Sequence, residues 1–423
     1  MSLLIKNGRV IDPESNTDTK LDILVEGNRI SKIASEIRTP ADTVIDAAGL
    51  IVVPGLVDIH VHFRQPGRDE LETIAGGAKV AARSGYTTVC VMPNTNPCID
   101  TLDMIDFVKK ESAKTEINIL PVAAVTKSRA GEELVDMKKL FAGGAVAFTD
   151  DGFPIMNSHV MREALIGAKE CNAAIFVHEE DKNLTAGGAM NEGALSHELG
   201  VQGIPREAEE IMIARDILLS RLTGGHAHIQ HLSSGGSVDL VRDAKKKGIH
   251  ITAETAPHYF TLTEQDVRTK GSNAKMSPSL REEKDRRAII EGLRDGTIDT
   301  IATDHAPHPE EEKAQGLAAA PNGVIGLETA LPLVITKLVK EEKFSFIEAI
   351  RLLTINPCKV IRSDRGRIAE KGIADITIID PEKKVTIDRG YLISKYKNCP
   401  FIGMELFGEV KVTICEGKVV YQK

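Results

Sequence analysis

Two histidines two residues apart, His60 and His62, are the first residues of the chain whose types and spacing suit metal chemistry. On a β-strand both imidazoles would lie on the same face, because side chains alternate between the two faces. A His-x-His pair alone is also what a polar strand face would show. Further ligand-type residues, each preceded by an apolar run of strand character, strengthen the metal interpretation. They are Asp151, His178, His231 and Asp304.

These residue types favour a borderline divalent ion. Imidazole nitrogen and carboxylate oxygen without thiolate indicate zinc first, with manganese or cobalt able to replace it. Four histidines and two aspartates exceed what one tetrahedral ion needs, so one or two Zn²⁺ per chain are predicted. In a two-ion site the His-x-His pair and Asp304 would hold the more buried ion. The other two histidines would hold the second ion, with Asp151 as the bridge.

Asp304 also has the chemistry of a proton carrier. A bound divalent ion lowers the pKa of coordinated water to about 7 and polarises a carbonyl under attack. An aspartate beside this hydroxide nucleophile can take its proton and return it to a leaving amide nitrogen, acting as general base and then as general acid. Together these groups predict hydrolysis of an amide, or the reverse condensation.

Eight strand-like runs alternate with helical patterns in the middle of the chain, and they must position these side chains. The predicted strands are 56–62, 87–92, 117–124, 145–150, 174–178, 226–231, 250–254 and 300–304. Helical patterns between them include 70–84, 102–113, 160–171, 207–222, 238–247 and 281–294. This alternation is typical of a (β/α)8 TIM barrel, with catalytic groups at the carboxyl ends of the strands. An open doubly wound sheet is the alternative, but only closure makes the first and eighth strands neighbours.

Both ends of the chain have a different texture. Residues 1–53 and 365–423 carry β-branched runs broken by turn signals such as Asn7-Gly8. We predict that they form one small β-sandwich-like domain beside an α/β barrel over residues 54–364. Two independent β appendages are the alternative.

Composition narrows the possible partners. The chain has 423 residues, 42% hydrophobic and 27% charged, which is ordinary for a soluble globular protein. A formal net charge of -8 gives no basic footprint, so neither nucleic acid nor a membrane is expected as a partner. The first residues lack a basic start followed by an apolar core, which predicts a cytoplasmic location. Six cysteines occur singly, which argues against a disulfide framework.

Several motifs together resemble the amidohydrolase superfamily and, within it, the shorter bacterial type I dihydroorotases over essentially the whole chain. They are 54–64 (PGLVDIHVHFR), 92–95 (MPNT), 148–152 (FTDDG), 229–233 (IQHLS) and 302–308 (ATDHAPH). The resemblance implies reversible cyclisation of N-carbamoyl-L-aspartate to L-dihydroorotate, with release of water, in pyrimidine (UMP) biosynthesis. It also implies that the six ligand-type residues bind metal and that Asp304 is the catalytic base.

The same resemblance implies a set of substrate-binding positions. They are Arg64, Asn94, Ser277, His308, Asn322 and Gly323. Arg64, Asn94 and His308 map onto positions that hold the carboxylate of the substrate, and a guanidinium can bind a carboxylate through two parallel hydrogen bonds. Ser277 stands where the family usually has asparagine, and Pro321 stands where many relatives carry an aromatic residue. Because a serine hydroxyl is shorter than an amide, the substrate grip or even its identity can differ there.

Asp151 separates the chain from many relatives. Hydantoinases, allantoinases and other dihydroorotases commonly bridge their metals with a carboxylated lysine on the fourth strand. The run 145–151 (AVAFTDD) has no lysine, so Asp151 matches the subgroup that uses aspartate. Occupancy of the second metal position stays open.

Two further expectations concern a loop and a histidine. Residues 309–320, polar and then rich in small side chains, are predicted to form a mobile lid over the site, with an ordinary solvated loop as the alternative. His228, three residues before His231, is expected to point to the other face of its strand.

Alternative functions remain at this stage. A hydantoinase- or allantoinase-type cyclic amidase is one: Arg64 and Asn94 favour an acidic substrate over it, whereas Ser277 leaves it open. A non-catalytic dihydroorotase-like subunit of aspartate transcarbamoylase is another, although such relatives typically lose metal ligands that this chain retains. A homodimer is the expected assembly, and association with aspartate transcarbamoylase is left open.

Overall fold

Strands and helices alternate along the middle of the chain in the computed structural model, which describes residues 2–423. The strands are β1 (Ser2–Asp12), β2 (Thr17–Glu26), β3 (Arg29–Ala34), β4 (Thr43–Asp46), β5 (Ile51–Pro54), β6 (Leu56–Val61), β7 (Tyr86–Val91), β8 (Asn118–Pro121), β9 (Phe148–Thr149), β10 (Ala174–Val177), β11 (Met190–Asn191), β12 (Gly203–Ile204), β13 (His226–Ile229), β14 (Ile251–Thr255), β15 (Thr300–Ile301), β16 (Ile376–Thr386), β17 (Glu405–Cys415) and β18 (Lys418–Gln422).

The α-helices lie mostly between these strands. They are α1 (Ile74–Arg83), α2 (Leu102–Ser112), α3 (Met137–Gly143), α4 (Ser158–Glu170), α5 (Lys182–Thr185), α6 (Ala194–Leu199), α7 (Glu207–Thr223), α8 (Gly235–Lys246), α9 (Pro257–Thr261), α10 (Val267–Lys270), α11 (Glu283–Arg294), α12 (Glu310–Lys313), α13 (Leu327–Leu333), α14 (Phe346–Arg351) and α15 (Ile355–Val360). A π-helix over Val334–Glu341 continues α13. Within residues 2–423, no helix combines the length and the apolar character needed to cross a membrane.

Two parallel sheets carry the middle of the chain. One contains β6, β7 and β8, and the other contains β9, β10, β13, β14 and β15. Isolated parallel bridges connect them at both sides, pairing Ala123 with Phe148 and Val61 with His305. On the second side the backbone N–H of His62 donates to the carbonyl of His305 at 2.9 Å. The residues after β6 and those after β15 are therefore neighbours.

Asp58 strengthens the contact between β6 and the end of β15. Its carboxylate accepts hydrogen bonds from the Thr303 hydroxyl at 2.5 Å, the Thr303 backbone N–H at 3.2 Å and the His60 backbone N–H at 3.0 Å. Burial raises the pKa of Asp58 to about 6, although these hydrogen bonds oppose the rise. The network fixes His60 relative to the segment that contains Asp304.

A buried apolar cluster joins the two parallel sheets from within. It draws on strands of both sheets and on the residues next to them, including Val57, Ile59, Cys90, Met92, Val122, Ala147, Ala174, Phe176 and Ala302. Gly55 lets the chain enter β6 closely, because a Cβ at this position would lie 2.2 Å from Thr87 Oγ1. Burial of such side chains contributes about 1.5–3 kcal/mol each for the larger ones.

The intervening helices follow from capping residues and apolar spacing. Ser234 caps α8 by accepting a hydrogen bond from the Ser237 backbone N–H at 3.0 Å. In α4 the buried residues Val160, Ala164 and Ala168 recur every four positions and form one apolar face. Helix α4 thus covers the sheet with its apolar side and leaves its polar side to solvent.

Strands from both ends of the chain share one further sheet. Its order is β18-β17-β16-β5-β1-β2-β3, and β4 pairs with β1. β5 is central, since it runs parallel to β1 and antiparallel to β16, with Val52 opposite Ile378. Apolar side chains of this sheet, such as Ile5 in β1 and Ile376 in β16, are buried in a hydrophobic cluster of their own.

The observed elements differ from the sequence expectations mainly at their ends. The run expected at 226–231 ends as a strand at Ile229, and the run expected at 300–304 ends at Ile301. His231 and Asp304 adopt positive φ angles of 32° and 51°, so the backbone turns out of the sheet there. Strand alternation therefore does not decide where these two side chains point.

Candidate active site

The six ligand-type residues meet just beyond the carboxyl ends of the parallel strands. His60 lies in β6, His62 follows it, and the others follow β9, β10, β13 and β15: Asp151, His178, His231 and Asp304. All six are buried, and none exceeds 7% exposure. Residues far apart in the sequence therefore form one cluster, as the sequence predicted.

Asp151 lies at the centre of this cluster. Its Oδ1 is 3.6 Å from His60 Nε2, 3.4 Å from His178 Nδ1 and 3.5 Å from His231 Nε2. Its Oδ2 is 3.4 Å from His62 Nε2. Two ligands of one tetrahedral zinc ion, at bond lengths of 2.0–2.2 Å, are about 3.4 Å apart. One carboxylate thus faces two pairs of imidazoles at the spacing expected of shared metal ligands.

Asp304 faces the first of these pairs. Its Oδ1 is 2.8 Å from His62 Nε2 and 3.6 Å from His60 Nε2. The ligand atoms fall into two overlapping triads, His60–His62–Asp151 and Asp151–His178–His231, within which all atoms lie within 4.8 Å of one another. Asp304 lies beside the first triad but is not part of it. The assignment of Asp304 and the His-x-His pair to one ion position and of the other histidines to a second stays a prediction.

Hydrogen-bond acceptors outside the cluster fix the orientation of three of its imidazoles. The pairs are His60 Nδ1 with Glu254 Oε1 at 2.5 Å, His62 Nδ1 with Asn94 Oδ1 at 3.1 Å and His178 Nε2 with Glu180 Oε2 at 3.2 Å. An ionised carboxylate only accepts hydrogen bonds, so the outward nitrogen of the ring carries the proton. The inward nitrogen is then the one that would bind a metal through its lone pair, after it gives up the proton that it shares with the carboxylates of the cluster.

The electrostatics of the cluster favour a cation. Burial would raise the pKa of Asp151, but the charge of His60 and hydrogen bonds from His178 and His231 lower it well below its ordinary value. Conversely, burial would lower the pKa of His178, but hydrogen bonds to Asp151 and Glu180 raise it to about 9. Ionised carboxylates in a buried site require a positive charge nearby. The donor set, its spacing and its charge therefore fit one or two divalent ions.

A cavity of about 210 Å³ opens onto the cluster, and all six positions predicted to bind substrate line it. Its wall consists of His62, Arg64, Asn94, Asp151, Gly152, His178, His231, Ser277, Asp304, Ala306, His308, Asn322 and Gly323. His60 lies beneath the others and does not line the cavity. Predicted metal ligands and predicted substrate contacts are thus parts of a single site.

Arg64 and His308 form a cationic corner of the cavity. Arg64 Nη2 is 3.3 Å from His308 Nε2, and the buried Arg64 Nε has no hydrogen-bond partner. Within residues 2–423, Arg64 makes no ion pair. Burial lowers the pKa of Arg64 to about 10, and burial together with Arg64 lowers the pKa of His308 to about 3. A charged guanidinium beside a neutral imidazole at pH 7 is suited to an anion.

Asn94 and Ser277 connect the cavity wall to the metal ligands. Because Asn94 Oδ1 accepts from His62, its amide nitrogen is left as a donor beside the cavity. The Ser277 hydroxyl hydrogen bonds to Glu180, which also accepts from His178. Ser277 therefore lies against a carboxylate, where its hydroxyl proton is already engaged.

Gly323 contributes shape more than hydrogen bonds. Its N–H donates to the Lys275 carbonyl at 3.0 Å, and its own carbonyl accepts from Lys313 Nζ at 3.0 Å. Its φ of 109° favours glycine, and a Cβ there would lie 2.8 Å from Ala306 Cβ. The backbone N–H and carbonyl of Gly323 are therefore both hydrogen bonded within the protein.

The loop predicted to act as a lid contains α12 and is tied to the cavity wall by lysines. The buried ammonium of Lys313 donates to the carbonyl of Pro321 at 2.9 Å as well as to Gly323. Lys275 Nζ donates to the carbonyls of Ala318 at 3.0 Å and Ala320 at 2.7 Å. These contacts define one position of residues 309–320, and the motion of the loop stays a prediction.

Sequence reasoning missed the residues that orient the ligands, Glu180 and Glu254, and it misplaced His228. His228 is fully buried, and its Nε2 lies 3.2 Å from Glu254 Oε2, so it is joined to the cluster instead of facing away from it. The expectation was wrong because the chain leaves the strand before His231. A charged residue inside an apolar strand, such as Glu254 in 251–255 (ITAET), was the available signal.

Comparison with known proteins agrees with the family resemblance of the motifs. A profile of the family described as dihydro-orotase-like matches residues 49–237. The chain is 49% identical to a dihydroorotase of Clostridioides difficile, with 99% of both chains covered, and 46% identical to a dihydroorotase of Lactococcus lactis, with 100% of both covered. Among solved structures, L-hydantoinase (dihydropyrimidinase) from Arthrobacter aurescens has a TM-score of 0.87 at 26% identity, covering 100% of this chain and 96% of that one.

The fold and the histidine–aspartate cluster are those of an amidohydrolase with an α/β architecture. Within this class, 46–49% identity to dihydroorotases over the full length also identifies the family. The chain belongs to the dihydroorotase family. It is therefore an enzyme that hydrolyses cyclic amides, and the resemblance inferred from its motifs is confirmed.

Proposed function

We propose that the chain catalyses the reversible cyclisation of N-carbamoyl-L-aspartate to L-dihydroorotate, with release of water, in pyrimidine biosynthesis. The observation that carries the proposal is the single cavity in which the Arg64–His308 corner faces the His/Asp cluster. A dicarboxylic substrate needs both features: a cation for the carboxylate that does not react and a metal site for the group that does.

The metal is proposed to be zinc, as one or two ions. His60, His62 and Asp304 would hold one ion, His178 and His231 the other, and Asp151 would bridge. When bound, zinc lowers the pKa of coordinated water and polarises the carbonyl of the ring amide. The absence of thiolate among these ligands and the presence of four imidazoles support zinc over magnesium or calcium.

Asp304 is proposed to move the proton. The hydrogen bond from His62 and the charges of His60 and His62 outweigh burial and lower the pKa of Asp304, so it is ionised at neutral pH. In ring opening, the oxygen of water bonds to the amide carbon, the carbon–nitrogen bond breaks, and Asp304 passes the proton of the water to the departing nitrogen. In cyclisation the same atoms move in reverse and water is released.

Arg64, Asn94 and His308 are proposed to hold the carboxylate that does not react. All three line the cavity, and Arg64 has a buried N–H without a partner. Ser277 and Asn322 are proposed to contact the remainder of the substrate, and Gly323 leaves room for it. Held in this way, the ring amide is oriented toward the cluster, which contributes to catalysis by positioning.

A hydantoinase-type activity is the second candidate. The named structural neighbours are hydantoinases, and Ser277 offers a weaker contact to a substrate than asparagine would. Full-length relatives named dihydroorotase at 45–49% identity outweigh this likeness. A non-catalytic role is not supported, because all six ligand-type residues are present and clustered.

The deciding experiment compares substrates side by side. Purified zinc-loaded protein is assayed with dihydroorotate, hydantoin and allantoin, and metal content per chain is measured in the same preparation. We expect the highest kcat/KM with dihydroorotate, because only this substrate has the carboxylate that Arg64 would bind. Faster turnover of hydantoin or allantoin would overturn the assignment in favour of the second candidate.

Replacing Arg64 with methionine is expected to raise the KM for dihydroorotate about 10- to 100-fold. Charge-assisted hydrogen bonds contribute about 1.5–3 kcal/mol, and methionine keeps most of the apolar volume while losing them. The matched control is Arg38→Met, on an exposed side chain paired with Glu36 far from the cavity. An unchanged KM in Arg64→Met would contradict the carboxylate assignment.

The proposal also covers the domain architecture, the cellular location and the assembly of the enzyme. We propose that β6–β10 and β13–β15 form a closed (β/α)8 barrel over residues 54–364, supported by the bridges at both sheet edges. Residues 1–53 with 365–423 would form the composite β domain around the shared sheet. A cytoplasmic homodimer is proposed, and association with aspartate transcarbamoylase stays an open prediction.

A further inference from the structure

A continuous line of hydrogen bonds leads from His60 to the opposite ends of the strands. Glu254 accepts from His60 Nδ1 at 2.5 Å through Oε1, and its Oε2 lies 3.2 Å from His228 Nε2. His228 Nδ1 lies 2.8 Å from Thr252 Oγ1, which lies 2.7 Å from His226 Nε2. His228 and Thr252 are register partners on β13 and β14, so the line follows two paired strands toward their amino ends.

The direction of each hydrogen bond follows from its chemistry. The ionised carboxylate of Glu254 only accepts hydrogen bonds, so His60 donates from Nδ1 and His228 donates from Nε2. The backbone N–H of His231 also donates to Glu254 Oε1, at 3.4 Å. A neutral His228 then has a lone pair on Nδ1, which must accept from the Thr252 hydroxyl. Thr252 has one proton to give, so it accepts from His226 Nε2. One consistent pattern of donors results, in which His60 donates from Nδ1 while His228 and His226 each keep a lone pair on Nδ1.

The far end of the line supports this pattern. The pattern requires that His226 Nδ1 carries a lone pair and no proton. Of the two ring nitrogens of His226, Nδ1 is the buried one without a hydrogen-bond partner. Burial lowers the pKa of His226 to about 2, with the neighbouring His250 contributing, so the ring is neutral at pH 7. His250 stacks on His226 at 4.1 Å and is exposed to solvent. The line therefore spans from the metal ligand to the surface at the other end of the strands.

Glu254 is buried between the two imidazoles that this pattern joins, with one carboxylate oxygen facing each ring. Both carboxylate oxygens are engaged, and the side chain is 1% exposed. The ring of His60 is thus presented with Nε2 toward Asp151 and Asp304.

We propose that Glu254, His228 and Thr252 act as a relay of positioning residues that fixes which nitrogen of His60 faces the ion and so sets the strength of zinc binding from the far end of the strands. This inference rests on the zinc site of the proposed function. Residues that orient metal-bound histidines typically alter metal affinity about 10- to 100-fold. The new element is the distance over which the effect acts, since within residues 2–423 the Thr252 hydroxyl is hydrogen bonded to His226 and His228 and to none of the six ligands.

Thr252→Val tests the reach of the relay. Valine has nearly the same shape but no hydroxyl, so His228 Nδ1 loses its donor and no longer has to present its proton to Glu254. Thr252→Ser keeps the hydroxyl and should rescue binding. Thr88→Val is the matched control, because Thr88 is a buried threonine of β7, away from β13 and β14, whose Oγ1 has no hydrogen-bond partner. Glu254→Gln tests the near end, since glutamine offers one acceptor and one donor where two donors need acceptors.

The measurement is zinc affinity, obtained by equilibrating zinc-loaded protein with a chromophoric chelator. We expect the dissociation constant to rise about 10- to 100-fold in Glu254→Gln and about 3- to 10-fold in Thr252→Val. Thr252→Ser and Thr88→Val should stay within about twofold of the parent chain. The unfolding midpoint of each metal-free variant serves as a check that the fold is retained.

Each outcome has a distinct meaning. If Thr252→Val binds zinc as tightly as the parent chain, the relay is overturned, whatever Glu254→Gln does. Equal losses in Thr252→Val and Thr88→Val would also overturn it, because a general packing effect would then explain both. If Glu254→Gln does not fold, the two Thr252 variants still decide. A parent chain that binds no zinc would instead overturn the proposed function.

Discussion

Replacing Asp304 with asparagine is expected to lower kcat for dihydroorotate by about 10²- to 10⁴-fold, the range that general acid–base catalysis contributes. Asparagine keeps the shape of the side chain but cannot take a proton from the nucleophile or return one to the ring nitrogen. Zinc should remain partly bound, because Asp151 and the four histidines still supply ligands. The measurement is kcat together with zinc content per chain.

The control for this substitution is Asp299→Asn. Asp299 precedes β15 and accepts hydrogen bonds from Lys245 and from the Ala253 backbone at the amino ends of the strands, away from the cavity. It should turn over dihydroorotate like the parent chain. A similar kcat in Asp304→Asn and the parent chain, at equal zinc content, would show that another group carries the proton.

Removal of metal is expected to abolish turnover in both directions, and added zinc is expected to restore it. The positioned side chains alone cannot supply the polarisation of the carbonyl or the activated water that a divalent ion gives. Zinc should also stabilise the fold: at 100 to 1,000 times its dissociation constant, a ligand that binds only the folded state adds about 2.7–4.1 kcal/mol. Activity and the midpoint of thermal unfolding are measured before chelation, after chelation and after zinc is returned.

Magnesium serves as the control ion, because it prefers octahedral oxygen ligands to a histidine-rich site. It should restore neither activity nor the unfolding midpoint. Full turnover in protein that contains far less than one metal ion per chain would contradict the metal-dependent mechanism.

The sequence predicted the elements of the site well where one physical rule decided the outcome. Apolar runs of strand character alternating with helical patterns located all eight parallel strands, because burial imposes that pattern on each strand separately. The six ligand-type residues were found because each follows such a run. The substrate-facing positions needed the family resemblance, since an arginine or an asparagine after a strand has no unique meaning by itself.

Other features depended on contacts between distant residues and could not be predicted. The positive φ angles of His231 and Asp304 turn these side chains into the cluster, although strand alternation suggests nothing of the kind. Glu254 and His228 meet only because β13 and β14 pair in one particular register. The lysine contacts around Pro321 and Gly323 join segments whose spacing in the sequence carries no periodic signal.

The position of β5 between β1 and β16 has a consequence for how the chain is made. During synthesis on the ribosome, β1–β5 emerge first, yet one edge of β5 finds its partner only when β16 appears, after the whole barrel segment. Exposed strand edges invite pairing with other chains, and domains generally fold as their sequence becomes available. The nascent N-terminal strands must therefore wait with an open edge, and they are the segment for which a chaperone would matter most.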